Sequence, residues 1–225
     1  MFFDYASVIY VNNKAYPRIV AQYELKEIDP YMIMDDDIDS LSDERVESRL
    51  DELLAINAIY PDGMLTNFQI GRIYLKGGKF GNAIFHANSI INNYPEFSAG
   101  YMLKGDISLR NGSFEEAISL YKKALQCPVK GSTSPVYKKI AFAYSKTGKH
   151  GKAYKFMKKA VKIFSPSSNY KDLWQLGNMA LMTGKVKEGS MLLRFALQKT
   201  PSQDPDYSKR IRRQLDKLKP YVEKQ

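Results

Sequence analysis

The stretch YMLKGDISLRNGSFEEAISLYKKAL, Tyr101 to Leu125, decides how the whole chain is read. Tyr101 and Gly105 stand four apart, Asn111-Gly112 interrupts, and Ala117, Tyr121 and Ala124 follow at spacings of four and three. Small and large apolar residues at helical intervals on both sides of a helix stop predict two short amphipathic helices joined by a tight turn. Gly112 can take the left-handed backbone that closes the first helix. Ser113, with Glu116 three residues on, has the form of a capping box opening the second. Gly105 and Ala117 are small where the paired helices should come closest, and Tyr101 and Tyr121 are expected to fill the space between them.

On either side the same hairpin recurs. A repeat at 64–97 places Asn67, Ile70-Gly71, Tyr74, Gly78, Ala83 and Pro95 where a repeat at 98–131 places Tyr101, Lys104-Gly105, Ser108, Gly112, Ala117 and Val129, the last just after Pro128. After the insertion CPVKGSTS a third repeat, 134–167, carries Tyr137, Ile140-Ala141, Tyr144, Gly148, Ala153, Met157 and Ala160 and closes near Pro166. A fourth, 170–203, carries Leu173, Leu176-Gly177, Gly184, Gly189, Ala196 and Pro201. One hairpin cannot bury its apolar faces alone, so neighbours must stack and the end of the stack needs a polar cap. Residues 204–225 suit that cap. Tyr207, Ile211, Leu215 and Leu218 form an apolar stripe, Lys209, Arg210, Arg212, Arg213, Lys217 and Lys219 cover the rest, and the helix is expected to break at Pro220.

The entry, 1–62, is less regular. The apolar run Phe2 to Val11 reads as one helix of a degenerate hairpin, with Pro17 starting a second that ends at Ile28-Asp29-Pro30. Asp35, Asp36, Asp37, Asp39 and Asp43 crowd the next stretch, and adjacent like charges predict a loop there. A helix capped by Ser42 follows, with the stripe Val46, Leu50, Leu53, Leu54 and Ile56 ending before Pro61-Asp62-Gly63.

The repeats at 63–203 resemble the tetratricopeptide repeat, whose signature is an aromatic, then Leu-Gly, Tyr, Ala, an aromatic and Pro over about 34 positions. The resemblance implies an all-α helical-hairpin solenoid, a right-handed superhelix with a concave groove, acting as a scaffold or adaptor that binds protein segments. It further implies that the groove is lined by the first helix of each repeat. Position five then reads Phe68, Met102, Lys138 and Trp174, position nine reads Arg72, Asp106, Phe142 and Asn178, and position twelve reads Leu75, Leu109, Ser145 and Leu181. The leucines suit packing between hairpins. Trp174 stands beside the packing position already taken by Leu173, which leaves it either packed or facing outward as the best single binding residue. A row of Phe, Met and Trp points to an apolar or amphipathic partner segment, with Arg72 and Lys138 orienting it. The subgroup that grips the C-terminal carboxylate of heat-shock chaperones needs Lys and Asn where this chain has Phe68, Arg72 and Leu103. Lys139 alone matches, which disfavours that role.

Composition narrows the classes. At 225 residues, 44% hydrophobic and 26% charged, the chain is ordinary for a folded protein, and one cysteine, Cys127, excludes an intramolecular disulfide. With His86 and His150 the only histidines, and both read as surface or groove-edge residues, there is little to build a zinc site or a catalytic base. GGKFGNA at 77–83 lacks the end a P-loop requires, and the Asp35–Asp39 run lacks the Gly and Glu of a calcium loop. Cys127, at a helix end, reads as an inert thiol. No cofactor, metal or catalytic residue is expected, nor any enzymatic activity. Asp4 in the first residues does not suit a secretory signal and no run approaches eighteen apolar residues, so a cytoplasmic protein is expected.

Charge is the other informative feature. Residues 1–62 hold 14 acidic and 5 basic side chains, and the rest hold 10 and 29, within a net charge of +10. Lys122-Lys123, Lys138-Lys139, Lys152, Lys155, Lys158-Lys159 and Lys162 gather on the third and neighbouring hairpins. They fit a solvated face, an acidic protein partner or an anionic membrane surface touched peripherally. Nucleic acid fits least, because the cations are mostly Lys without interleaved aromatics. The acidic segment Asp29–Glu52 could also dock on the basic region of its own chain or a neighbour's, giving self-association. The leading expectation is a protein-binding scaffold in a larger assembly. The alternative is a lysine-rich module that binds an anionic membrane or nucleic acid directly.

Overall fold

The computed structural model describes residues 2–3, 8–9, 38–128, 132–163 and 168–222. Its helices are α1 (Asp43–Ile59), α2 (Met64–Lys76), α3 (Phe80–Asn93), α4 (Ser98–Arg110), α5 (Phe114–Gln126), α6 (Ser134–Lys146), α7 (His150–Ala160), α8 (Tyr170–Met182), α9 (Val186–Lys199) and α10 (Pro205–Val222). The four expected hairpins are α2–α3, α4–α5, α6–α7 and α8–α9, each packed on itself, so the fold class is an all-α helical-hairpin solenoid. The chain divides into two compact units, 1–129 and 130–225, and the division falls in the CPVKGSTS insertion.

In the first unit, Leu53, Ile70 and Ile73 form one core with Ile38, against which Val46, Leu50 and Ile56 of α1 pack. Met64, Ala83, Ala87, Ile90, Leu103 and Ile107 form the next, between α2, α3 and α4. In the second unit a core runs from Ala141 through Met157, Leu173, Leu176, Leu192, Leu193 and Ala196 to Ile211 of α10. Small residues set the closest approaches. A Cβ on Gly105 would lie 2.7 Å from the ring of the fully buried Tyr121, so α4 and α5 meet where a side chain is missing.

The hairpin turns share one construction. Gly78, Gly112, Gly148 and Gly184 have φ of 71°, 80°, 69° and 78°. At Gly112 a Cβ would touch nothing within 4 Å, so the requirement for glycine is the left-handed backbone alone. Ser113 N–H then donates to Ser108 O at 2.9 Å, the six-to-one bond of a Schellman motif. That bond accounts for a departure from expectation, because Ser113 forms no side-chain cap. A capping box needs the backbone N–H of its first residue to meet the Glu116 side chain, and here that N–H is committed to the preceding helix. Ser42 does cap α1, accepting from Arg45 N–H at 3.5 Å.

Three further expectations are corrected. Within the expected helix Phe2–Val11, residues Phe2–Phe3 instead pair antiparallel with Val8–Ile9, Phe2 opposite Ile9 and Phe3 opposite Val8, as suits aromatic and β-branched residues. The stripe of α1 loses Leu54, which is exposed, and gains Arg49, which is buried. Helix α10 does not stop at Pro220 but runs on to Val222, because a proline in the last exposed turn forfeits only its bond to the carbonyl of residue 216. The expected helix from Pro17 to Pro30 and the residues Asp35, Asp36 and Asp37 lie outside the described residues. The acidic stretch beyond them forms a short 3-10 turn, Ile38–Ser40, tied down by Lys76, whose Nζ donates to Ile38 O at 2.9 Å and Leu41 O at 3.0 Å.

Candidate functional site

The eight residues assigned to the inner row fall four in each unit. In the first, Phe68 and Arg72 sit one turn apart on α2 and meet each other, the guanidinium carbon 5.8 Å from the ring centroid. Met102 on α4 is half-buried, while Asp106, one turn on, accepts a hydrogen bond from the Tyr121 hydroxyl at 2.6 Å. Burial and the Asp106 charge push the Tyr121 phenol well above its ordinary pKa, so it stays a donor. Asp106 therefore helps hold α4 to α5. Leu75 packs against the core, as the leucine spacing implied.

In the second unit the row is continued by a helix that the sequence reading treated as a cap. From Lys138 to Trp174 and from Phe142 to Asn178 the step is 36 residues, and the same step from Trp174 and Asn178 reaches Arg210 and Gln214 of α10. The contacts follow that register. Trp174 Nε1 donates to Gln214 Oε1 at 3.1 Å, Gln214 Nε2 donates to Asn178 Oδ1, Arg210 lies over the indole at 5.8 Å, and Tyr207 meets it edge-on at 5.4 Å. Trp174 is thus half-buried, packed against α10 on one side and lining an open concavity on the other. Lys138 donates to Asp172 at 2.5 Å, so its charge is matched within the unit. Phe142 is the large aromatic of the row left uncovered, 47% exposed with Lys146 Nζ 5.3 Å from its ring centroid. The 36-residue step was legible in the sequence and would have found Arg210 and Gln214. The basic composition of the tail marks a polar cap and masks that register.

The histidine reading needs correction as well. His86 is buried, stacked on Tyr74 at 5.7 Å, with its Nδ1 2.7 Å from Asn67 Oδ1. Asn67 gives its Nδ2 hydrogens to Pro61 O and Gly63 O at 2.6 and 2.8 Å, so its carbonyl oxygen must accept, and His86 Nδ1 carries the proton. Desolvation lowers the pKa of His86, which keeps the ring neutral and the network structural. Cys127 is half-buried, and burial followed by the nearby Glu96 pushes its thiol up, away from the thiolate.

The lysine-rich face of α7 forms a second concavity, around Tyr154, lined by Lys155, Lys158, Lys159 and Lys185. Glu188 neutralises part of it. It accepts from the Tyr154 hydroxyl and from Lys158 at 2.9 Å, and it lies 3.8 Å from Lys185. The Tyr154 hydrogen bond, and then that of Lys158, hold the Glu188 carboxyl below its usual range. Among the described residues there is no cluster of three His, Cys, Asp or Glu side chains placed to hold a metal, and no helix long and apolar enough to cross a membrane.

Comparison with known proteins bears on the fold. Residues 98–126 and 135–165 match one family model of the tetratricopeptide repeat, and residues 66–96 match another. No curated protein sequence matches the chain. Among solved structures, TTC0263, a thermophilic TPR protein of Thermus thermophilus, is similar with a TM-score of 0.57 at 19% identity, over 75% of this chain and 89% of that one. Pseudomonas aeruginosa pilF is similar with a TM-score of 0.64 at 12% identity, over 79% and 86%. YrrB, a TPR protein with an unusual peptide-binding site, has a TM-score of 0.59 at 11% identity, over 68% and 76%.

Proposed function

We propose, from the premise that this chain is a tetratricopeptide repeat protein and so of a kind that generally serves as a non-catalytic protein–protein interaction scaffold, that it is an adaptor whose first-helix faces bind a segment of a partner protein. The observation that carries this reading is Phe142. A large aromatic ring held nearly half exposed on the first helix of its hairpin, with a lysine against it, gains little for folding and is suited to anchor an apolar side chain. Phe68, Arg72 and Met102 offer a smaller, self-paired surface in the first unit, and Trp174 with Asn178 offers a polar-edged one in the second.

A capture experiment tests this. The full chain and its Phe142→Ala variant are used as baits with chemical cross-linking, and Phe85→Ala is the control, since Phe85 is 68% exposed on the second helix of its hairpin. Loss of an anchor of this kind weakens binding by about tenfold or more. Phe142→Ala should lose the partner and Phe85→Ala should keep it. The reverse pattern would move binding to the other helix row and sink the reading.

The lysine concavity around Tyr154 supports a second reading, direct attachment to an anionic surface, membrane or nucleic acid. Its mark would be binding that falls steeply with salt and ignores Phe142. The Glu188 carboxylate, paired with Lys158 and 3.8 Å from Lys185, offsets only part of that charge, and this reading stays second because it gives no role to the exposed Phe142 ring.

A further inference from the structure

The concavity beside Trp174 has chemistry that a row of apolar contacts does not explain. It is an open depression of ≈ 670 Å³ walled by Trp174 on α8 and by Lys209, Arg210, Arg213 and Lys217 on α10, with Asp206 at its edge. Arg210, Arg213, Gln214 and Lys217 recur at three- and four-residue steps and so share one face of α10. Gln214 is engaged by Trp174 and Asn178, Arg210 by the indole, and Asp206 pairs with Lys209 at 3.8 Å. Among the described residues, Arg213 and Lys217 have no ion-pair partner. Four cations against one carboxylate, around the edge of an indole, leave positive charge unmatched in a space of peptide dimensions.

From this geometry we infer that the α8–α10 concavity binds an acidic peptide segment carrying a large apolar side chain. The apolar group lies against Trp174, and flanking Asp or Glu carboxylates meet the guanidinium of Arg213 and the ammonium of Lys217. A guanidinium fork suits a carboxylate, and opposite potential across the contact supplies specificity. The inference rests on the reading of the first-helix faces as partner-binding and names the partner chemistry for one of them. The footprint, one helical face with a single aromatic, suits one peptide segment better than the repeated phosphates of a nucleic acid.

Trp174 is the chain's single tryptophan, so its emission reports on this site. The full chain is titrated at low ionic strength with the peptide acetyl-EELEDLEE-amide, and with acetyl-QQLQNLQQ-amide as its neutral counterpart. The acidic peptide should give a saturable emission change, with the neutral one at least about tenfold weaker. Arg213→Glu combined with Lys217→Glu should weaken the acidic peptide about tenfold or more. Both residues are exposed, so thermal unfolding should be unchanged, which separates lost binding from lost folding. Replacing both leucines of the acidic peptide by serine should also weaken it several-fold. Equal binding of the neutral peptide would overturn the inference while leaving the apolar anchor at Phe142 standing. Indifference to the double charge reversal, or a response confined to phosphatidylserine vesicles or oligo-dT, would overturn it as well. Failure of the Phe142 capture experiment would instead strike the broader reading.

Discussion

Position nine of the first helix holds Asp106 in the first unit and Phe142 in the second, and the two do opposite things. Asp106 accepts from the buried Tyr121 across its own hairpin, and its charge is used in packing. Phe142 has a lysine against its ring one turn away and remains half in solvent. The second unit also carries a basic helix, α10, whose Gln214 joins Trp174 and Asn178. A repeat position therefore fixes where a side chain emerges. Whether that side chain is free for a partner depends on the helix that faces it, through whether a hydrogen-bonding group there has already claimed it.

Four changes test how far that contrast holds. The largest effect should come from Ile211→Ala, which removes the buried anchor of α10 and should cost about 3 kcal/mol in denaturant unfolding. It should also shift Trp174 emission to the red as α10 loosens, and an unshifted spectrum would mean that α10 does not cover Trp174. Asp106→Ala should cost about 1–3 kcal/mol, because it leaves the Tyr121 hydroxyl buried without its acceptor. Phe142→Ala, at the same repeat position, should change stability by no more than about 0.5 kcal/mol. Equal costs for these two would erase the contrast.

The smallest effect is a slope with pH. Burial lowers the pKa of His86 in the folded protein, so the neutral ring is favoured by folding. Well above the unfolded value of 6.5 both states are neutral and the Asn67 bond is intact. Below it the unfolded chain takes up a proton that the folded one resists, so stability falls as pH drops from 6.5 toward the lowered folded value. His86→Gln should flatten the melting temperature against pH across that window. An unchanged slope would assign the acid sensitivity to carboxylates such as Glu188, whose lowered pKa makes its own contribution fade at lower pH.

Much of this was written in local sequence. Gly78, Gly112, Gly148 and Gly184 mark the turns because no other residue takes that backbone without strain, and Gly105 against Tyr121 marks a helix contact because a missing Cβ is visible in the sequence. The inner row was legible only as positions. His86 looked like a surface residue because nothing near it in sequence announces Asn67, nineteen residues earlier, as its partner. Arg49 was missed likewise, since a long cation in an amphipathic helix reads as solvent-facing until the surrounding elements are in place. Ser113 shows the converse, a cap with the right letters whose backbone donor the previous helix had already claimed.

The order of residues was enough to specify the repeat, the hairpin turns and the register of the first helices, because helix periodicity, glycine conformation and small-residue spacing act over a few residues and need no knowledge of distant chain. Which row residues remain available was settled by packing. It tied Asp106 to Tyr121 and Lys138 to Asp172, laid α10 against Trp174, and, among the described residues, left Phe142 half exposed and Arg213 and Lys217 without an ion pair. Those outcomes turn on desolvation and hydrogen-bond pairing between residues tens of positions apart, and both are properties of the packed chain.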